Sequence, residues 1–592
     1  MGRLFRAFPT SGCARVAAAV TCALYAAVVV AAQQSPKSPS KPTTISGIVI
    51  DAASGTPLPR CVVTISGVDG RERRTVVTDP QGGFVFNGPQ GTMMLAASKA
   101  GYSGGYHGQK FPLGPHQDLE VAEGQSVTGI TLSLWKNAVV SGVVRDESGE
   151  PIVNALVRSL RLEAVAGRNH LRAARNAKTD DRGMYRIADL IPGRYLIALP
   201  ASGPRTPPTT VSSEEGYATI YYPAAPTVAA AAVLELKAGD ERVGIDFDRA
   251  SVNLVTLRGA VTGYPADRTR PVQVRLVPAE DSDFQSDLEA MRTTAATDGR
   301  FSFSHVPPGS YVLSVVVFPV EPSQPGTTRM MQLGNGSSFG GAAPGGRSPL
   351  PPSPEQPTLW GEVSLSVGDK NVDRIVIALR PGLRISGRVR FEGATSPPAA
   401  SQLMATPVAI TIADGRELNG LPLSGLDAHG AFRTAGLPPG KYLPRPMVSV
   451  RGWHLKSIHL DGRDVSTEAI SLEDGDVSGV TITFVDRPAE LSGTVRDSSG
   501  KLRPDATVYV FPTDRSGWVD FGPLPLRLRQ TRVGTSGAYR FPSLLPGDYY
   551  VMATLAAYEI WQCPEKLEPL SAAARKVHVE AGQRSVQDLT AR

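Results

Sequence analysis

The stretch TDDRGMYRIADLIPGRYLIA, residues 179–198, constrains this chain most, because its pattern occurs five times. A glycine, one further residue and then Phe or Tyr stand at Gly82-Gly83-Phe84, Gly183-Met184-Tyr185, Gly299-Arg300-Phe301, Gly430-Ala431-Phe432 and Gly537-Ala538-Tyr539. A second glycine follows each: Gly91, Gly193, Gly309, Gly440 and Gly547. In the last four copies it follows a proline (Pro192, Pro308, Pro439, Pro546) and stands two residues before a tyrosine (Tyr195, Tyr311, Tyr442, Tyr549). Pro-Gly at the centre of a turn favours type II, since proline presets the first φ and glycine tolerates a positive second one. The runs YRIA, FSFS and YRFP alternate large apolar residues with others, as half-buried strands do. Each copy therefore reads as a β-hairpin.

Upstream of every copy a small pair opens a strand: ISGIVIDAASGTPLP at Ile45, VSGVVRDESGEPIV at Val140, LRGAVTGYPADRTRP at Leu257, ISGRVRFEGATSPP at Ile385 and LSGTVRDSSGKLRP at Leu491. Downstream comes a strand-turn-strand signature, such as LEVAEGQSVTGITLSL or ISLEDGDVSGVTITF. About seven short strands per hundred residues, without a long helical period, is the pattern of a β-sandwich. A chain of 592 residues is too long for one core, and 60 glycines with 50 prolines suit many strands and turns.

The expected fold class is all-β: tandem Ig-like or prealbumin-like sandwiches of about seven strands, with little helix apart from the signal segment. The boundaries read as 1–32 signal peptide, 33–42 linker, 43–135 sandwich 1, 136–250 sandwich 2, 251–380 sandwich 3 with a Gly/Pro-rich loop at 321–357, 381–488 sandwich 4 and 489–592 sandwich 5.

The opening strand, G-x-[FY] and L-P-P-G-x-Y together resemble carboxypeptidase regulatory-like domains, which are grouped with collagen-adhesin B-type, transthyretin-like and starch-binding-like sandwiches. The resemblance covers nearly all of residues 43–592. It implies the fold more than the role, because such sandwiches serve as spacers, adhesion modules, sugar binders and accessory domains. The first copy departs from the pattern, with NGPQGTMM in place of the Pro-Gly-x-Tyr turn. The Lys–Asn crosslink of adhesin relatives is promoted by a Glu in an E-T-x-A-P-like segment. This chain has no such segment, so the crosslink is not carried over.

Arg3, Arg6 and Arg15 precede the apolar run VAAAVTCALYAAVVVAA, Val16 to Ala32, and polar QQSPKSPSKP follows. That is the layout of a secretory signal peptide; the rival reading is an uncleaved anchor, for which seventeen residues are short. The mature chain is expected to be secreted, periplasmic or at the cell envelope, without a membrane span after cleavage, and monomeric. The net charge of +6 includes those three arginines, and what remains is no footprint for nucleic acid. Cys13 and Cys22 belong to the signal, leaving Cys61 and Cys563 at opposite ends as two unpaired thiols. No metal spacing is present, and no metal or other cofactor is expected.

Three places imitate catalytic sites. GSSFG, Gly336 to Gly340, matches the nucleophile-elbow pattern, but it lies in a Gly/Ser/Pro-rich loop and not on a strand-to-helix turn. His454 and His459 are five apart on an alternating strand and would point to opposite faces. Asp180 and Asp181 occupy a turn that reads TDPQG and LDAHG elsewhere, so a turn-capping aspartate explains them. The chain reads as no enzyme.

For recognition, aromatics recur between the repeated stretch and the closing strands: Tyr106, Tyr221, Tyr222, Trp360, Trp453 and Trp561. Planar rings on loops can stack on sugars or anchor a protein partner; the competing reading is that each ring plugs one end of its sandwich. The expected function is a non-catalytic binding, adhesion or presentation array at the bacterial cell envelope. The alternative is a carbohydrate-binding accessory protein of a polysaccharide degradation or uptake system, and more distantly an accessory part of a peptidase or other enzyme. The joints LWKNAVVSG, ALRPGLRISG and FVDRPAELSG pass from strand to strand without a spacer, which predicts a stiff or gently curved rod.

Overall fold

Alternation in the opening strand Thr44–Asp51 turns Ile45 and Val49 fully into the core. This strand runs antiparallel to Gly83–Asn87 on one side and parallel to Ser126–Lys136 on the other. The chain was described from a computed structural model covering residues 43–67, 72–202, 215–263, 271–279, 291–319, 350, 354–416, 425–446, 452–556, 558 and 561–592. The N-terminal apolar segment with Cys13 and Cys22, and the GSSFG segment, lie outside the described residues.

The same pairing recurs at the opening strands Ala138–Asp146, Val255–Thr262, Ile385–Glu392 and Ala489–Arg496. Each faces a second sheet; in sandwich 1 that sheet runs Arg74–Val77, Val62–Gly67, Gly91–Ser98, with short strands beyond. Five two-sheet units follow one another, and each encloses its own apolar cluster. Leu132, Leu257, Ile482 and Val551 are among the fully buried residues, each worth about 1.5–3 kcal/mol on burial. Helix is confined, among the described residues, to Ala400–Met404, Pro564–Ala573 and a single 3-10 turn at Arg515–Trp518. The fold is all-β.

The repeated stretch is not a hairpin. Met184–Leu190 pairs with the opening strand Ala138–Asp146, whereas Gly193–Leu199 pairs with Leu156–Val165 in the opposite sheet. The chain therefore arches across the core, and it does so in all five units. The Pro-Gly pair is also not a type II turn, which needs a glycine φ near about +80°. Gly193, Gly309, Gly440 and Gly547 have φ of 156°, 159°, 158° and 142°, and each is the first residue of a strand in the second sheet.

The tyrosine two residues on holds this arch. Its hydroxyl donates to the carbonyl four residues back: Tyr195 to Ile191 (2.7 Å), Tyr311 to Pro307 (2.9 Å), Tyr442 to Pro438 (2.7 Å) and Tyr549 to Leu545 (2.7 Å). This is the tyrosine corner of β-sandwiches, which satisfies a carbonyl at the point where the chain changes sheets. In sandwich 1, buried Met93 stands in the tyrosine's place and makes no such bond.

The opening glycine and the G-x-[FY] aromatic turn out to be one device. They are cross-strand partners in every unit: Gly47 with Phe84, Gly142 with Tyr185, Gly259 with Phe301, Gly387 with Phe432 and Gly493 with Tyr539. A Cβ on any of these glycines would collide with a closing-strand carbonyl: Ile130, Ile245, Ile375, Val480 or Gln587. Where the aromatic is tyrosine, its hydroxyl bonds that same carbonyl, Tyr185 to Ile245 and Tyr539 to Gln587, each at 2.5 Å. Glycine is thus required by close approach, and the ring covers the gap it leaves.

The joints are as short as their sequences imply. A single residue, Asn137, separates Ser126–Lys136 from Ala138–Asp146, and it bonds Ser103 (2.7 Å) on one side and Asp189 (3.4 Å) on the other. At the joint of sandwiches 3 and 4, buried Arg384 donates to the carbonyls of Pro354, Glu355 and Gln356 at 2.9, 3.0 and 3.2 Å. The rod, however, is not what forms. Sandwich 5 touches sandwiches 1, 2 and 4, so the array folds back on itself. A short linker restricts the angle between neighbours; side-by-side contacts decide where the chain then goes.

Candidate functional site

The long hairpin Leu156–Val165 to Arg168–Lys178 reaches out of sandwich 2. Ala166 (φ 54°) and Gly167 (φ 77°) form its two-residue tip, the mirror-image turn whose twist suits a hairpin. The tip enters the junction of sandwiches 4 and 5. Ala166 accepts from the Asp520 amide at 2.8 Å, and a Cβ on Gly167 would strike the Trp518 carbonyl. Arg168 grips both carboxylate oxygens of Asp520, at 2.7 and 3.0 Å. His170 Nε2 donates to the Asp414 carbonyl of sandwich 4 at 2.9 Å, and a carbonyl can only accept, so the proton sits on Nε2.

Sandwiches 4 and 5 are themselves sewn together beside this tip. The Gly522 amide donates to Ala413 (2.9 Å) and Ser543 Oγ meets His454 Nδ1 (2.6 Å). Arg445 is fully buried, and its guanidinium donates to the carbonyls of Pro444, Ser466 and Phe521, each at 3.2 Å. Burial pushes this guanidinium down to about 10. Carbonyl dipoles, not a carboxylate, balance the cation. Beneath Trp518 lies a second apolar cluster on the outer face of sandwich 5, containing Tyr509, Phe511, Phe521, Met552, Trp561 and Leu567.

The aromatics singled out from sequence are not gathered in one place. Trp453 is buried with its ring edge-on to Phe391, centroids 5.0 Å apart, and Trp561 stands the same way to Tyr509 at 5.0 Å. Tyr221 is buried in a small cluster with Leu196 and Val228, while half-buried Tyr222 packs on Phe247 at 6.0 Å. Trp360 is half-buried within the strand Leu359–Val367. Tyr106 is the most exposed, at 37%, with its ring tilted over His116 at 5.2 Å.

The other sequence candidates have structural explanations. Asp180 Oδ1 accepts from the amides of Arg182 (3.0 Å) and Met184 (2.8 Å), capping the turn, and Asp79 and Asp427 do the same. Cys61 and Cys563 are buried and unpaired, and burial pushes the Cys563 thiol up to about 11, away from reactivity. Among the described residues no three His, Cys, Asp or Glu side chains group to hold a metal ion, and no helix is long and apolar enough to cross a membrane. The hairpin tip was missed in sequence. Its signal was available: VAGR between two long alternating runs.

Residues 44–134, 139–221 and 490–592 match the model of the carboxypeptidase regulatory-like domain. These three sandwiches are carboxypeptidase regulatory-like domains. Sandwiches 3 and 4 repeat the same opening-strand pairing as these regulatory-like domains, although the family model matches neither. Among solved structures the chain is similar to a streptococcal ancillary pilin (12% identity, TM-score 0.17, covering 57% of this chain and 99% of that one). It is also similar to a shaft pilin of Lactobacillus rhamnosus GG (12%, 0.18, covering 38% and 99%) and the major pilin subunit of Bacillus cereus (9%, 0.15, covering 58% and 100%). No curated protein matches the chain.

Proposed function

We propose that this chain is an exported, non-catalytic array of β-sandwiches that binds or presents at the bacterial cell envelope. The observation carrying this reading is the junction at Arg168 and Asp520. Arg168, the buried Arg445 and the positive-φ tip at Ala166 and Gly167 hold sandwiches 2, 4 and 5 in one arrangement, as a presenting scaffold requires. The polar groups at the Asp180 turn, the Tyr195 corner and the Arg384 joint are explained by structure, which supports a role without chemistry for them.

Carbohydrate binding is the second reading, and Tyr106 favours it: an exposed ring backed by His116 is a platform of the kind sugars stack on. In that reading the closure of the array puts the ligand surface where sandwiches meet, instead of in five equal pockets. Expression with the native N-terminus in a bacterium, followed by mass spectrometry of the envelope fraction, should find a chain that begins after Ala32. An intact Met1 on envelope protein would favour the anchor, and cytoplasmic retention would overturn export. A glycan array probed with the exported protein should be silent for a scaffold. Binding abolished by Tyr106→Ala would instead establish the second reading.

A further inference from the structure

We propose that the seam between sandwiches 1 and 5 is a proton-sensitive latch, closed while His107 is neutral and opened when His107 takes up a proton. The loop following Gly105–Tyr106 lies on sandwich 5. Lys110 Nζ donates to the carbonyls of Asp505 and, at 3.1 Å, Leu555, and Gln117 Nε2 reaches the Val533 carbonyl at 3.4 Å. His107 is pinned in this loop: its amide donates to Leu95 (2.9 Å) and its carbonyl accepts from the Gln117 amide (2.8 Å). Its Nδ1 is buried with no hydrogen-bond partner. A neutral imidazole can leave that nitrogen as a bare acceptor at modest cost. Protonation would make it a buried N–H donor with nowhere to donate.

The surrounding charges act in the same direction. Lys110 stands on the loop itself, and sandwich 5 contributes Arg532, Arg503 and Asp505. The Asp505 carboxylate is already engaged: Arg503 holds it through contacts of 2.9 and 2.7 Å and keeps it down to about 2. Arg532 donates to the Asp505 carbonyl (3.1 Å) and to Thr507 Oγ1 (2.8 Å), leaving its own Nε buried and unpartnered. Three cations thus face two carboxylates, Asp505 and the Asp497 that also pairs with Arg503 at 3.8 Å, and an imidazolium would be a fourth cation. Burial, and then the Arg532 charge, hold His107 below its ordinary value of 6.5. Undocking returns it to that value, so the open form takes up the proton more readily. The contribution of neutral His107 to closure is present above about pH 6.5 and is lost as pH falls below it, by up to about tenfold in the docking equilibrium for each unit by which docking lowers the His107 pKa.

Hydrogen exchange of the full-length chain at about pH 7.5 and about pH 5, corrected for intrinsic rates, tests the latch. The amides of residues 105–118 and 529–533 should lose protection together at the lower pH, while the cores of both sandwiches keep theirs. His107→Phe, which cannot titrate, should keep protection at both values. His116→Gln, altering an exposed histidine paired with Asp118 at 3.7 Å on the same loop, should behave as wild type. Should His107→Phe fail to dock even at the higher pH, the imidazole shift of wild-type His107 decides by NMR: its titration must coincide with the loss of protection. Protection retained at about pH 5, lost equally in His107→Phe, or lost without titration of His107 would overturn the latch.

Discussion

Arg168 of sandwich 2 clasps Asp520 of sandwich 5 in a two-pronged ion pair across 352 residues of sequence. The planar guanidinium matches the carboxylate, which sets the angle of approach as well as the distance. Both side chains remain partly exposed, at 55% and 29%, so the pair alone contributes less than about 1 kcal/mol. Arg168→Ala should leave the melting of each sandwich unchanged while raising exchange at residues 165–170 and 518–522. A shift of the sandwich 2 core amides would mean that the pair stabilises the domain and not the docking.

Gly167→Ala is the harsher test of the same junction. The added Cβ meets the Trp518 carbonyl at a residue held at φ 77°, a combination costing at least about 1–3 kcal/mol. Sandwich 2 should stay folded, because the tip lies beyond its core, and small-angle scattering should show a larger maximum dimension. An unchanged distance distribution would show that the tip does not hold the array closed.

The opening glycines should be intolerant of a single methyl. Gly142→Ala and Gly387→Ala drive a Cβ into the closing strand, and we expect a loss of about 1–3 kcal/mol or more confined to the affected sandwich. Gly149→Ala, in open space at φ 82°, should cost only about 1 kcal/mol. Chemical denaturation followed by exchange mass spectrometry separates the two.

Removing one corner hydroxyl should cost about 1–2 kcal/mol, since the carbonyl it served is left without that partner. Tyr195→Phe should therefore lower the stability of sandwich 2 and Tyr549→Phe that of sandwich 5, each without affecting the other. A joint shift of both in calorimetry would contradict separable corners.

Sandwich 3 carries a strained residue that can be relieved. Before the closing-strand residue opposite the opening glycine stand Gly129, Gly244 and Gly479, with φ of 74°, 76° and 84°; in sandwich 3 the position is Arg374 at φ 63°. Arg374→Gly should stabilise that unit by about 1 kcal/mol, seen as slower exchange across Val372–Ala378. Its ion-pairing neighbour Asp373, which meets Arg258 at 3.3 Å, is left in place.

Much was legible in the sequence, and the limits have physical causes. Alternation and turn residues act over a few neighbours, so five units and their strands could be read from residues such as Ile45, Gly183 and Phe301. The arch was misread as a hairpin because Pro-Gly followed by a strand looks alike whether the chain returns to its own sheet or crosses to the other. The difference lies in a φ near 156° at Gly193 and in the bond from Tyr195 to Ile191. Tyr106, Trp453 and Trp561 were equivalent by position; packing then buried the two tryptophans and left the tyrosine at the surface.

By itself, then, the sequence determined the kind and local chemistry of the sandwiches, because those depend on periodicity and on which residues tolerate a given backbone angle. Only the tertiary structure decided that the array folds back. The contacts that close it are made largely to backbone groups, the carbonyls of Ala166, Asp414, Phe521 and Leu555, which every residue possesses and no sequence pattern marks.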